Sequence, residues 1–128
     1  MGCRGYKIVF KFIYDILPIF VQMNARYHTI TAQIKKAVQQ ADPTATAILF
    51  GSRVTGKARD DSDWDILILL NKPSVSLNDE RLFRDNLYDV ELEIGEHISS
   101  LFYGKEDWNT RLSVTPLYRS VQQEGVVL

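Results

Sequence analysis

The stretch that decides the fold runs from residue 50 to residue 70 and reads FGSRVTGKARDDSDWDILILL. It joins the end of one apolar run to the start of another through a glycine-serine break and a polar loop. Residues 45–50 (ATAILF) are short, apolar and rich in strand formers toward their end, and Gly51-Ser52 interrupts them. Residues 64–70 (WDILILL) are apolar almost throughout, the pattern of a strand buried on both faces, and Asn71, Lys72 and Pro73 stop it. These two strands form the centre of the expected fold.

Toward the N-terminus, Tyr27, Ile30, Ile34 and Val38 recur at three- and four-residue steps, one stripe of an amphipathic helix over residues 25–40. Pro43 ends that helix, because its ring disfavours helical geometry at Asp42. Toward the C-terminus, Asn78 or Asp79 is placed to cap a long helix whose stripe of Leu82, Phe83, Leu87, Val90, Leu92 and Ile94 ends at Gly95. Residues 98–103 (ISSLFY) read as a third strand closed by Gly104, and residues 105–109 as a short helical turn. Thr115-Pro116 opens a last helix and Gly125 is placed to end it. Strands and helices mix within one small unit, which predicts an α+β fold: a small mixed β-sheet with helices packed on one side.

Composition supports a single domain, since 128 residues with 45% hydrophobic and 24% charged side chains match an ordinary globular chain. Fifteen basic against sixteen acidic residues leave a formal charge of -1 and no field for gripping a nucleic-acid backbone, so long DNA or RNA is not an expected partner. Cys3 is the one cysteine, which excludes an internal disulfide and a structural zinc site and points to the cytoplasm. Residues 6–21 are apolar but carry Lys11, Asp15 and Pro18, too interrupted for a membrane span or a signal peptide. The expected organisation is an N-terminal extension over residues 1–22 and a domain over residues 23–128, with Met23 as an alternative start.

Two features at the ends of the central strands carry chemistry. Gly51 permits a tight turn after a buried strand, so that the following amides point together at an anion, and Ser52 adds a hydroxyl. Strand-Gly-Ser also occurs at ordinary chain reversals. Asp63 and Asp65 lie two apart at the start of a strand and therefore project to one face, where they repel unless neutralised. Mg²⁺ suits such a pair, because it takes one or two carboxylates together with the oxygens of a substrate phosphate. The plainer reading is a solvated Asp63 and an Asp65 paired with Lys57 or Arg59, an exposed contact worth about 0–1 kcal/mol. Asp65 already belongs to the strand pattern, where an unpaired charge is costly, which favours an ion or a strong cationic partner.

Taken together, Gly-Ser, ten residues and Asp-x-Asp, flanked by two strands, resemble the signature of the minimal nucleotidyltransferases of the DNA polymerase beta superfamily. The resemblance implies that Gly51 and Ser52 hold the β- and γ-phosphates of a nucleoside triphosphate and that Asp63 and Asp65 bind a divalent metal. It further implies transfer of a nucleoside monophosphate, AMP from ATP, to a hydroxyl acceptor. Arg53 and Lys57 are cations within reach of phosphate, whereas Arg59 is better read as a solvated loop residue. Gly56 matches a second glycine that the family often shows.

Two departures stand out. Val54-Thr55 replaces the Ala-Arg often seen after Gly-Ser-Arg, so one usual basic contact is missing. The family's third carboxylate belongs on the next strand, which here offers Ser99 and Ser100; Glu96, just before it, is the candidate substitute as a catalytic carboxylate. Glu91, Glu93 and Glu96 read equally well as a solvated acidic helix end. Trp64, between the aspartates, faces the other way and is expected in the core, and Trp108 and Tyr118 are expected to cover the sheet.

A domain this small leaves little surface for an acceptor pocket, so the acceptor site is expected to be shared with a second protein or a second copy of the chain. Minimal nucleotidyltransferases of this type are often antitoxins paired with a helical HEPN toxin, which they adenylylate on a tyrosine. Two other readings remain open: an antibiotic-modifying nucleotidyltransferase, whose usual extra helical domain is not visible, and a nucleotide-binding regulatory subunit that has lost turnover.

Overall fold

The computed structural model describes residues 19–128, with side chains from residue 24 onward, so the expectations for Cys3 and for the apolar stretch 6–21 fall outside the described residues save for the last turn of that stretch. The described residues open with helix α1 (Ile19–Ala41), then strand β1 (Thr46–Phe50), the single turn α2 (Ser52–Thr55) and strand β2 (Trp64–Leu70). Helix α3 (Leu77–Ile94) leads to strand β3 (Ile98–Gly104), followed by α4 (Lys105–Asn109), a 3₁₀ turn (Arg111–Val114), α5 (Pro116–Glu124) and the two-residue strand β4 (Val126–Val127). By compactness the chain divides within α1, and Ala32–Leu128 forms one unit that holds every strand. Among the described residues no helix is long and apolar enough to cross a membrane.

The four strands form one mixed sheet in the order β3-β2-β1-β4. β1 runs antiparallel to β2, with Ile48 opposite Leu67 and Phe50 opposite Asp65. β2 runs parallel to β3, with α3 as the crossover, and pairs Asp65 with Ser99 and Leu67 with Leu101. β4 pairs with β1, Ile48 opposite Val127, and Leu128 N–H donates to the Ala47 carbonyl. Sequence patterning misses β4, because two exposed valines after a helix carry no alternation to read.

Helices cover both faces of the sheet rather than one. Register places Ile48, Leu67, Leu69, Leu101 and Tyr103 on one face, where they pack with Trp108, Leu112, Leu117 and Val121 from the C-terminal turns and α5. Trp108 is 1% exposed and lies between the rings of Tyr103 and Tyr118, at centroid separations of 5.7 and 5.1 Å. The opposite face carries Leu49, Ile66, Ile68 and Phe102 against Phe83, Leu87 and Val90 of α3, and the Phe83 and Phe102 rings approach to 5.7 Å. Asn86 of α3 donates to the carbonyl of Ala37, which ties the end of α1 to the same layer. A second helical layer is what the unbroken run Ile66 to Leu70 requires, because both sets of its alternating side chains are buried.

The ends of α3 correct the sequence reading. Ser76, not Asn78 or Asp79, is the N-cap: its hydroxyl accepts from Asp79 N–H while the Asp79 carboxylate accepts from Ser76 N–H, a reciprocal capping box. Leu82 and Leu92, expected in the apolar stripe, are exposed beside the buried Phe83, Leu87 and Val90. Gly95 ends the helix in a left-handed conformation, φ 72°, as expected. Thr115 caps α5 by accepting from Tyr118 N–H, with Pro116 at the first helical position.

Candidate nucleotide and metal site

Asp65 lies on the sheet face that carries Leu67 and Leu69, at the start of β2, with Phe50 beside it on β1 and Ser99 beside it on β3. Asp63 precedes the strand by one residue and is exposed, while Asp65 is half-buried. Burial raises the Asp65 pKa above its ordinary 3.8, and the charge of Asp63 raises it further. That the Asp63 charge reaches Asp65 shows the two carboxylates to be near one another, as their two-residue spacing predicts, and mutually repelling. The ion pair of Asp65 with Lys57 or Arg59 does not form among the described residues, and both cations lie on the exposed loop.

Gly51 fixes where the loop after β1 passes. Its φ of 81° and ψ of -154° are open to glycine and to little else, and a Cβ placed there would run into the Asp65 carboxylate. The glycine therefore lets the backbone lie directly against Asp65, and the turn α2 begins at that point. The Gly51 carbonyl accepts from Val54 and Thr55 N–H at 3.1 and 3.2 Å, leaving the Ser52 and Arg53 amides to head the turn without an intrahelical acceptor. Gly56 closes the turn with φ 78°. The predicted neighbours Gly51, Ser52, Asp63 and Asp65 are thus assembled by one close approach, Gly51 on Asp65.

Arg53 and Glu96 are placed together, and facing one another. The Arg53 guanidinium donates through Nη2 to the Ser62 carbonyl at 2.6 Å and to Glu96 Oε1 at 3.0 Å, and lies 4.7 Å from the centroid of the Trp64 ring. Both ion-pair partners are largely shielded, with side chains 15% and 17% exposed. Trp64 itself is buried at 3%, in the core as its position between the aspartates predicts. Lys57 is exposed in the loop, which closes on itself through Ser62: the Ser62 hydroxyl accepts from Arg59 N–H and the Ser62 N–H donates to the Arg59 carbonyl. Glu91, read as part of an acidic helix end, instead accepts from Ile98 N–H at 2.9 Å and pairs with His97 at 3.0 Å.

Among the described residues no three acidic, histidine or cysteine side chains gather into a metal cage. The donor set is two carboxylates, one exposed and one half-buried, whose mutual repulsion a hard divalent cation relieves. That set fits Mg²⁺, which needs few protein ligands when substrate phosphates complete its shell. Sequence reading missed the Arg53-Glu96-Ser62 contacts, since Arg53 and Glu96 lie 43 residues apart and only the parallel pairing of β2 with β3 brings them side by side.

Comparison with curated proteins finds no match. A model of the family described as polymerase beta, nucleotidyltransferase matches residues 32–115. The match contains both central strands, the Gly51-Ser52 turn and the aspartate pair, and it covers more than half of the chain. The protein therefore belongs to the polymerase beta nucleotidyltransferase family.

Proposed function

We propose that the protein is a Mg²⁺-dependent nucleotidyltransferase that moves a nucleoside monophosphate, AMP from ATP, to a hydroxyl acceptor. The observation that carries this reading is the close approach of Gly51 to Asp65, which sets the start of α2 against the Asp65 carboxylate. Gly51 and Ser52 hold the β- and γ-phosphates, and Lys57 lies on the loop that borders them. Asp63 and Asp65 hold the metal, which when bound supplies positive charge against the α-phosphate. The acceptor oxygen attacks the α-phosphorus in line, the bond to the bridging α-β oxygen breaks, and pyrophosphate leaves. The acceptor's proton passes to solvent or to a base on the partner that presents the hydroxyl.

In this reading the acceptor is a protein hydroxyl, as in an antitoxin that adenylylates a tyrosine of a helical HEPN toxin. The small domain and the resemblance to minimal nucleotidyltransferases support it. Incubation with ATP labelled at the α-phosphate, Mg²⁺ and a candidate toxin should place the label on the toxin, and Asp63→Asn should abolish transfer. Label that reaches no acceptor, with Mg²⁺-dependent ATP binding intact, supports a second reading, a regulatory subunit without turnover. A specific observation favours that alternative: Ser99 stands beside Asp65 on β3, and Glu96 is engaged by Arg53.

A further inference from the structure

Arg53 is the most heavily engaged side chain near the site, and its contacts are all to the protein itself. One nitrogen bridges the Ser62 carbonyl and Glu96, the guanidinium covers Trp64, and Nε is buried with no acceptor among the described residues. Ser62 directly precedes Asp63, and Trp64 separates Asp63 from Asp65. Arg53 follows Ser52 on the turn that Gly51 starts. One side chain thus binds together the glycine turn, the residues on either side of Asp63, and the loop between α3 and β3.

We propose that Arg53 is a positioning residue braced by Glu96, and that its bond to the Ser62 carbonyl holds Asp63 beside Asp65 as a single divalent-cation site. Glu96 then acts through Arg53 and is not the third metal ligand. The loop 56–63 is otherwise held by its own exposed turn, in which Arg59 and Ser62 exchange hydrogen bonds, and at its far end by Trp64 N–H, which donates to the His97 carbonyl. Trp64 is thus anchored with or without Arg53, and what Arg53 fixes is the Ser62 side of Asp63; without it that side can turn Asp63 away from Asp65, toward which no attraction exists in the absence of a cation. The inference rests on the reading of Asp63 and Asp65 as the metal site.

Charge alone makes the opposite prediction, which is what makes the test sharp. Removing a cation close to a metal site strengthens cation binding by simple electrostatics, whereas loss of a supporting contact weakens it, by about tenfold or more for side chains that orient metal ligands. The experiment measures Mn²⁺ binding, without nucleotide, by electron paramagnetic resonance on the native chain, Arg53→Met, Arg53→Lys and Asp65→Asn. The expected result is a loss of about tenfold in Arg53→Met, partial recovery in Arg53→Lys, which keeps the donor charge, and the largest loss in Asp65→Asn. Unchanged or tighter Mn²⁺ binding by folded Arg53→Met overturns the proposal, and so does a defect seen only when ATP is added, which marks Arg53 as a phosphate ligand. Binding that survives Asp65→Asn instead removes the underlying metal-site reading.

A readout independent of metal separates those failures. Lys57 and Arg59 lie in the exposed loop, so trypsin in EDTA reports how firmly Arg53 and Glu96 hold it. Glu96→Gln, which keeps the shape of the side chain and removes its charge, should accelerate cleavage after Lys57 and Arg59 several-fold. Equal cleavage of native and Glu96→Gln protein overturns the role of Glu96 as the brace, whatever the metal data show.

Discussion

Substituting Gly51 tests the contact on which the site is built. Alanine at φ 81° and ψ -154° enters a region populated almost only by glycine, at a cost of about 1–3 kcal/mol. Its Cβ also collides with the Asp65 carboxylate, which must swing away. Gly56 is the internal contrast: its φ of 78° and ψ of 9° lie in the left-handed helical region, less costly to alanine, and a Cβ there meets nothing within 4 Å. Gly56→Ala should therefore cost about 1 kcal/mol and Gly51→Ala about 3. For a domain of this length, 1 kcal/mol moves Tm by about 3–6 °C, so the expected falls are about 4 °C and about 10–15 °C. Thermal melts followed by circular dichroism give both. The decisive quantity is the coupling to Asp65, obtained from Gly51→Ala, Asp65→Ala and the double variant. Deleting the carboxylate should relieve about 1 kcal/mol of the cost of Gly51→Ala. Additivity within about 0.5 kcal/mol refutes the close approach, and with it the geometric basis for setting the Gly51 turn beside Asp65.

Burial and Asp63 raise the Asp65 pKa above 3.8, so the folded chain holds that proton more tightly than the unfolded chain. Asp65 consequently costs nothing below the ordinary carboxylate pKa and destabilises increasingly as pH rises through the raised one. In EDTA at pH 7, Asp65→Asn should be more stable than the native chain, with the difference closing toward pH 3; urea melts showing a less stable variant at neutral pH refute the assignment. Asp79 shows the converse: Lys72, then Ser76, lowers its pKa to about 2, so its contribution is present above 3.8 and is lost as pH falls toward about 2. Ser76→Ala should cost about 1 kcal/mol at neutral pH, measured by urea unfolding, and an unchanged midpoint argues against the capping box. Trp108→Ala should cost about 3–5 kcal/mol, because Trp108 fills the centre of the cluster around Leu67, Leu69 and Val121. A loss below about 1 kcal/mol means that the cluster repacks.

The fold was legible where burial and local chemistry agree. WDILILL reads as a two-face-buried strand because no polar side chain interrupts it after Asp65, and the structure surrounds it with helices on both sides. Thr115-Pro116 and Gly95 are local signals, complete within a turn, and each stands where its chemistry places it. The cap of α3 was harder, since Ser76, Asn78 and Asp79 are all competent N-caps and the reciprocal Ser76-Asp79 bonds decide among them. A one-sided sheet was the wrong inference from a correct strand: a run with both faces apolar already demands a layer on each.

The site divides along the same line. Gly51-Ser52 and Asp63/Asp65 are legible because a left-handed turn and a two-residue carboxylate spacing are properties of the local chain. The fate of Glu96 is not local. Its place just before the third strand, which offers Ser99 and Ser100 in place of a carboxylate, makes it a candidate substitute for the third carboxylate. Parallel pairing, however, puts Ser99 rather than Glu96 beside Asp65. Glu96 stays in the turn before β3, within 3.0 Å of a guanidinium that is itself held by Ser62 and Trp64. A carboxylate shielded to 17% exposure and already bonded to an arginine must give up that bond to ligate a metal, leaving the arginine charge poorly compensated. Holding the arginine in place demands no such rearrangement, so the geometry favours Glu96 as a brace over Glu96 as a third ligand in the proposed site of Asp63 and Asp65.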